Sequence, residues 1–472
     1  MNDIKVKTLS VGKKFGYSIG AFGDSVGFNV FYFFFLFFLT DIAGIPPAFA
    51  GTIALIAIAW DAVTDPIVGH ISDNLKSKHG RRRPMMIAVA IPYALCMFLL
   101  FNNIDLSVNA KIVYFTAIAI LFWSTYKVYV IPYFALGAEM TQDFNERTSL
   151  RLWASVAMQL SVMLASAAPL MIVEKSTQMG FDLSGGWRNV AIIFGVVIAL
   201  AILICWRMTK GSELPPDKIK AVIEDKKNIF RTILEILKLK PSLPLAGSIF
   251  CWSLVTAMAS SGPVFLMTNN LGFEASTQST FFVINTLIAI AWLPVVGFLS
   301  KNLGKKKAYI ITMGVGGLCM MLFGVAGITG FVTIIIWTAL FQFGNSSFWT
   351  LYYSMMYDIS EVDEFVNGRR REGIVTAIMA FCQKLGAAVG TWLSGMVLAW
   401  GAYDGLAAVQ AESALKAILY NCTLIPGAFG VLAAVCALFY PLTGQRFNAL
   451  SNALEARRAG KEFSTEGFQS LL

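Results

Sequence analysis

Apolar residues run along this chain in near-continuous stretches of about twenty, separated by short clusters of charge. Twenty residues at roughly 1.5 Å each is the length an α-helix needs to cross the hydrocarbon core of a bilayer. The pattern predicts spans near 17–40, 48–72, 84–102, 112–138, 150–173, 187–208, 243–270, 277–300, 308–328, 330–357, 374–400 and 417–441. The expected fold is therefore an all-α membrane protein of twelve transmembrane helices.

Composition agrees. The 472 residues are 57% hydrophobic and only 14% charged, against about 25% charge in soluble domains. The basic residues give the map a direction. With both termini on one side of the membrane, 31 of the 37 Lys and Arg fall on that side, four (Lys111, Lys175, Arg188, Lys416) on the other, and Lys127 and Lys384 inside spans. By the positive-inside rule both termini are cytoplasmic, in the inner membrane if the cell is bacterial. This bias, facing anionic lipid headgroups, accounts for the net charge of +9, so nucleic acid is not implied as a partner. The charged start, MNDIKVKTLSVGKK, runs straight into the first span with no cleavable signal. The seven cysteines lie almost entirely within spans and read as small apolar fillers. No GxxxxGK[ST] loop or HExxH pair occurs, and the only histidines, His70 and His79, lie near one loop. A nucleotide-driven pump, a metalloenzyme and a resident cofactor are all disfavoured.

The chain echoes itself. In DPIVGHISD, Pro66, Val68, Gly69 and Ser72 match Pro294, Val296, Gly297 and Ser300 at a constant offset of 228, and Gly80-Arg81-Arg82-Arg83 meets Gly304-Lys305-Lys306-Lys307. LGAEMTQDFNERTSLR and MMYDISEVDEFVNGRRREG form a second pair, so span n maps onto span n+6. Such parallel repeats resemble the major facilitator superfamily, whose halves rock about a midplane site. The expected domains are an N-terminal six-helix bundle (1–209), a cytoplasmic linker (210–240), a C-terminal bundle (241–442) and a cytoplasmic tail (443–472). In the linker, Ile219, Val222, Ile223, Ile229, Ile233 and Ile236 recur at helical spacing and predict a surface helix. The tail, QRFNALSNALEARRAGKEF, reads similarly.

Charges inside spans are costly and point to function. Asp61 and Asp65 are four apart, so a helix sets both carboxylates on one face. Their repeat partners are Ala289 and Leu293, so the bundle does not need acids there. With Asp24, Lys127 and Lys384, three acids face two bases, leaving one negative charge for a cation or a proton. Pro66 lacks the amide that would bond the carbonyl of Ala62, and Thr64 adds a hydroxyl beside the acids. Lys127 has two readings: a permanent bridge to Asp61 or Asp65, or an ammonium in a cation's place that is released when a carboxylate protonates. Lys384 is equally an anchor for an oxygen-rich or anionic substrate or one half of an ion pair. Tyr32, Tyr133, Phe134 and Trp349 either stack on a ring face of a substrate or pack. Asp73 reads as a helix cap. Arg81, Arg82 and Arg83 read as lipid-binding or gate-locking groups, with Glu139 and Arg151 near the same end. Arg369, Arg370 and Arg371, together with Asp358 and Glu361, read as their counterpart in the second half.

GYSIGAFGD, WDAVTDPIVGHISD, YVIPYFALGAEMT and RRREG…CQKLGAAVG together resemble the glycoside–pentoside–hexuronide:cation symporters, typified by melibiose permease. The resemblance covers all twelve spans and implies cation-coupled uptake of a sugar, glycoside or uronide by alternating access, in a protein working as a monomer among membrane lipids. It implies that Asp61, Thr64 and Asp65 form the cation site. Arg151, Trp349 and Lys384 become sugar-site or gate residues, and Asp24, Ser25, Tyr32, Tyr133, Phe134 and Gln383 join them as the substrate-facing set. Melibiose permease carries Asp where this chain has Ser25 and Val130, and Trp where it has Phe134, which argues against melibiose as substrate. It carries Thr where this chain has Lys127; a fixed ammonium there repels sodium, so the expected coupling ion is a proton, with sodium as the alternative. The competing readings are a transporter of an amphipathic lipid or other anionic solute, and a receptor or scaffold that kept the fold without transport.

Overall fold

A computed structural model describes residues 9–75, 77, 80, 82–141, 143–212, 229–368, 371–459 and 461–469. Every regular element among them is helical: α1 (Val11–Phe37), α2 (Pro47–Asn74), α3 (Arg83–Leu100), α4 (Val108–Met140), α5 (Phe144–Gln178), α6 (Leu183–Met208), α7 (Ile229–Leu237), α8 (Ser242–Phe265), α9 (Ala275–Leu303), α10 (Lys305–Ala326), α11 (Phe331–Asn367), α12 (Glu372–Trp400), α13 (Glu412–Cys422), α14 (Leu424–Leu438) and α15 (Gly444–Arg458). Twelve segments are long and apolar enough to cross a membrane, the last being α13 and α14 together. This is the all-α, twelve-span fold expected from the apolar runs. Each predicted span overlaps one of them.

The contacts divide the chain into two compact units. The N-terminal unit comprises Met1–Ile223, Gly272–Thr286 and Asp404–Gln410; the C-terminal unit comprises Glu224–Leu271, Leu287–Tyr403 and Ala411–Leu472. Helix starts follow from capping chemistry. Asp143 accepts from the Glu146 amide at 2.8 Å and Asp182 from the Gly185 amide at 2.9 Å, each satisfying a donor that the first turn leaves open. The repeat extends to local irregularity. α1 and α8 both end in a five-residue π turn, Phe38–Ile42 and Leu266–Asn270, and these too are 228 positions apart.

Two segments depart from the sequence reading. The twelfth span is broken at Thr423, because Pro426 lacks the amide that would bond Cys422; the Thr423 hydroxyl donates instead to Leu419 O at 2.6 Å. The linker helix is docked on the protein. Of its predicted apolar face, Ile219, Val222 and Ile223 lie outside the described residues, while Ile236 is fully buried in the core of the C-terminal unit with Ile233 packed against it. The tail docks there as well: Leu450, Ala453, Leu454 and Phe468 are buried in that same core. An apolar helix face is satisfied by protein as readily as by lipid.

Candidate functional site

In the N-terminal unit, α2 carries Asp61 and Asp65 one turn apart and α4 carries Lys127 opposite them. The Lys127 Nζ lies 2.8 Å from Asp61 Oδ1 and 2.8 Å from Asp65 Oδ1. One ammonium therefore holds both acids together. Side-chain exposure separates the three: 5% for Asp61 and 7% for Lys127, but 39% for Asp65. Asp65 is the member of the triad that solvent can reach. One turn away, the Trp60 indole donates to the Ser124 hydroxyl at 2.8 Å, pinning α2 to α4 in this register. The Tyr126 ring lies 5.3 Å from the Lys127 ammonium. Thr64 does not join the triad. Its hydroxyl proton goes to the carbonyls of Trp60 and Asp61, both at 3.1 Å, the usual resting place of a threonine within a helix.

The remaining predicted residues of this unit separate into buried and accessible sets. Asp24 is 4% exposed, with Tyr126 as a near neighbour. Ser25 is buried too, donating to Met158 O at 3.4 Å and accepting from Asn29 at 3.0 Å. Tyr133 is a packing residue here: it is fully buried, stacked on Tyr17 at 4.5 Å, and donates to Tyr17 O at 2.9 Å. The tight approach of α1 to α4 at this level requires Gly137, where a Cβ would fall 2.1 Å from the Tyr17 hydroxyl. Tyr32 is half-buried against Phe28. Phe134 is exposed, with the Arg151 guanidinium 5.5 Å from its ring centre.

In the C-terminal unit, Trp349 is exposed, Gln383 accepts from the Tyr352 hydroxyl at 3.0 Å, and Lys384 is half-buried. Applying the n+6 mapping to the triad is informative. Asp61 maps to Ala289 at the offset of 228, and matching Glu139 with Asp358 carries Lys127 to Ser346 at an offset of 219. The Ser346 hydroxyl donates to Ala289 O at 3.0 Å. The same two helix positions meet in both halves, charged in one and neutral in the other.

The loop signatures also resolve. Arg82 donates to Glu139 at 3.1 Å and to the Ser72 hydroxyl at 2.7 Å, while Arg83 donates to Trp206 O and lies over the Trp206 ring. Arg81, Arg369 and Arg370 lie outside the described residues, as does the side chain of Asp73, whose backbone forms part of the last turn of α2. Of the arginines grouped with Asp358 and Glu361, Arg371 is held by other acids. Arg371 donates to Asp363 at 2.8 and 2.5 Å and to Glu235 of α7 at 2.7 Å, because Asp363 lies nearer the end of α11 from which the arginine loop departs. The hydrogen bonds to Asp363, with those to Glu235 adding, hold the Arg371 guanidinium above its ordinary value. Asp358 instead pairs with Lys305 at the start of α10, at 2.9 and 3.0 Å. Arg458 of the tail pairs with Glu364 at 2.8 and 2.5 Å.

Sequence reasoning passed over Tyr126, Asn29, Glu235, Asp363 and Arg458. Tyr126 and Asn29 were findable as polar groups inside apolar runs. Glu235, Asp363 and Arg458 belong to loops and ends, where charge is expected anyway.

A protein-family model described as MFS/sugar transport protein matches residues 16–444. The inner membrane symporter YicJ of Escherichia coli (strain K12) is 28% identical over 99% of this chain and 100% of its own length. The isoprimeverose transporter of Lactiplantibacillus pentosus is 27% identical, over 91% of this chain and 88% of its own. Among solved structures, a D-xylose–proton symporter shares the fold with a TM-score of 0.65 at 16% identity, covering 92% of this chain and 97% of the other.

Proposed function

Because this chain belongs to the MFS/sugar transport protein family, and is thus a membrane transporter and not an enzyme, we propose that it is a proton-coupled symporter of a sugar or glycoside, with Asp61, Asp65 and Lys127 as its coupling site. One observation carries the reading: a single ammonium is 2.8 Å from two carboxylates inside the membrane-spanning part of one unit. At about 4 Å and an effective dielectric near 20, each such attraction is worth about 4 kcal/mol, which offsets the cost of desolvating the charges. A sodium ion entering between the acids has to displace that ammonium or bear its repulsion. A proton meets no such barrier. It adds to a carboxylate oxygen of Asp65, the exposed acid, and the new O–H removes one of the two charges that hold Lys127. The ammonium is then left with Asp61 alone, and α2 and α4 can shift against each other about that remaining pair.

In the N-terminal unit the groups suited to a sugar are Tyr32 and the exposed Phe134–Arg151 pair; in the C-terminal unit they are Trp349, Gln383 and Lys384. The name of the Lactiplantibacillus relative supports a small glycoside. The exposed Phe134–Arg151 pair favours a second reading, a uronide, since a planar cation on an aromatic ring suits a carboxylate-bearing sugar. The termini lie in the cytoplasm, and the monomer is the working unit.

Uptake of a radiolabelled sugar or glycoside panel into vesicles tests the reading. Accumulation is expected to follow an imposed pH gradient and to ignore a sodium gradient. Sodium-driven uptake indifferent to pH overturns the assignment of Lys127.

A further inference from the structure

Asp24 is an acid that the coupling triad leaves unexplained. It lies on α1, is 4% exposed, and no protein donor reaches its Oδ1. The titratable groups near enough to act on it electrostatically come from each neighbouring helix: Tyr17 from α1, Asp61 from α2, Tyr93 from α3, and Tyr126, Lys127 and Tyr129 from α4. α5 and α6, which pack along this stretch of α1, bring Met158, Ser161, Ile198 and Ala201, all uncharged, and Cys205 beside Gly20.

Only one of these groups is a cation, and it is committed. Lys127 is 2.8 Å from Asp61 and 2.8 Å from Asp65, so one ammonium already faces two carboxylates. A third carboxylate in the same dry interior, with one oxygen given no donor, costs several kcal/mol as an anion. The tyrosines cannot make up the deficit. Tyr129 spends its hydroxyl on Gly20 O at 2.9 Å, and the buried Tyr93 hydroxyl makes no hydrogen bond. Tyr126 is a near neighbour of the carboxyl, and its ring centre lies 5.3 Å from the Lys127 ammonium. Asp24 is thus linked to the triad through one side chain.

We propose that Asp24 is a second proton-binding carboxyl of the N-terminal unit: it is the neutral acid in the state described here, and Tyr126 connects it to Lys127. The charge of the cluster is then one negative unit in place of two. The proposal deepens the coupling reading, yet its test does not require transport.

Infrared spectra of the purified full-length protein at neutral pH, wild type minus Asp24→Asn, are expected to contain the carbonyl band of a protonated carboxylic acid, shifting in D2O. A difference spectrum that contains only carboxylate bands, the signature of an ionised or hydrated Asp24, overturns the proposal. If Asp24→Asn does not fold, wild type minus Tyr126→Phe serves instead. Loss of the neighbouring hydroxyl is expected to move the acid band, and an unmoved spectrum counts against the proposal. Sodium-driven uptake would remove the proton-coupling reading and leave these spectra, and the assignment of Asp24, untouched.

Discussion

Two places in the molecule are built at matching positions of the repeat and differ in kind. Where α2 meets α4, Lys127 bridges Asp61 and Asp65; where α9 meets α11, the Ser346 hydroxyl reaches the Ala289 carbonyl at 3.0 Å. A helix pair of this architecture can therefore meet at this place through a neutral hydrogen bond, worth about 1 kcal/mol net, with Trp292 donating to Ala339 O at 2.8 Å elsewhere along the pair. Three charges at the equivalent place answer some other need. Toward the ends of α4 and α11 the converse holds: Glu139 and its counterpart Asp358 each pair with a base at the start of another helix, Arg82 at that of α3 in one unit and Lys305 at that of α10 in the other. Charge that both halves keep belongs to the plan of the bundle. Charge that one half alone keeps is what the proposed coupling role would account for.

The largest effect expected from breaking this contrast is that of Lys127→Ala. It removes the ammonium from the buried Asp61, and loss of one partner of a buried ion pair costs about 3–5 kcal/mol. The purified variant is expected to melt well below wild type; a wild-type melting curve would show that the triad holds no structural charge. Installing the second half's solution in the first, as Asp61→Ala with Lys127→Ser, is expected to recover most of that loss, because no buried charge is then stranded and Asp65 already reaches solvent. The double variant should exchange substrate across the membrane without accumulating it. Concentrative uptake by the double variant would mean that the triad is structural after all.

Asp61→Asn or Asp65→Asn tests the coupling with less damage to the fold, since Lys127 retains one carboxylate in each. Accumulation against a gradient is expected to vanish while counterflow survives, measured in the same vesicles. Undiminished accumulation in both returns the acids to the scaffold. The shared end pairs are expected to differ from each other. Arg82 and Glu139 are 7% and 8% exposed, so Arg82→Ala also removes the guanidinium from a buried acid and is expected to cost about 3–5 kcal/mol. Lys305 is 40% exposed, and Lys305→Ala is expected to cost less than about 1 kcal/mol. Equal costs in thermal melts would undo the distinction between a buried lock and a solvated one.

Much of this was legible without coordinates because it depends on distances along the chain. The twelve spans follow from run length, the two halves from the offset of 228, and the shared face of Asp61 and Asp65 from helical periodicity. The selection of intramembrane acids and bases as candidates rests on the cost of charge in lipid, which any sequence displays. The same reasoning marked Tyr133 as a candidate for substrate stacking, and the structure buries it against Tyr17, since an aromatic residue in a span carries no mark of which neighbour its face will meet.

What the tertiary structure alone decided was partnership. Lys127 is 62 residues from Asp65, and whether its ammonium meets one acid, the other or both depends on the register between α2 and α4, set by contacts such as Trp60 with Ser124. Arg371 chose Asp363 and Glu235 over Asp358, a matter of a turn of helix that composition does not record. The faces of α7 and α15 were visible as apolar stripes, but a stripe is equally content against lipid or protein, and only packing shows that the C-terminal unit covers both. Periodicity and charge are local properties and survive in one dimension. Pairing across helices is fixed by side-chain packing to within an ångström, and that information exists only once the chain has folded.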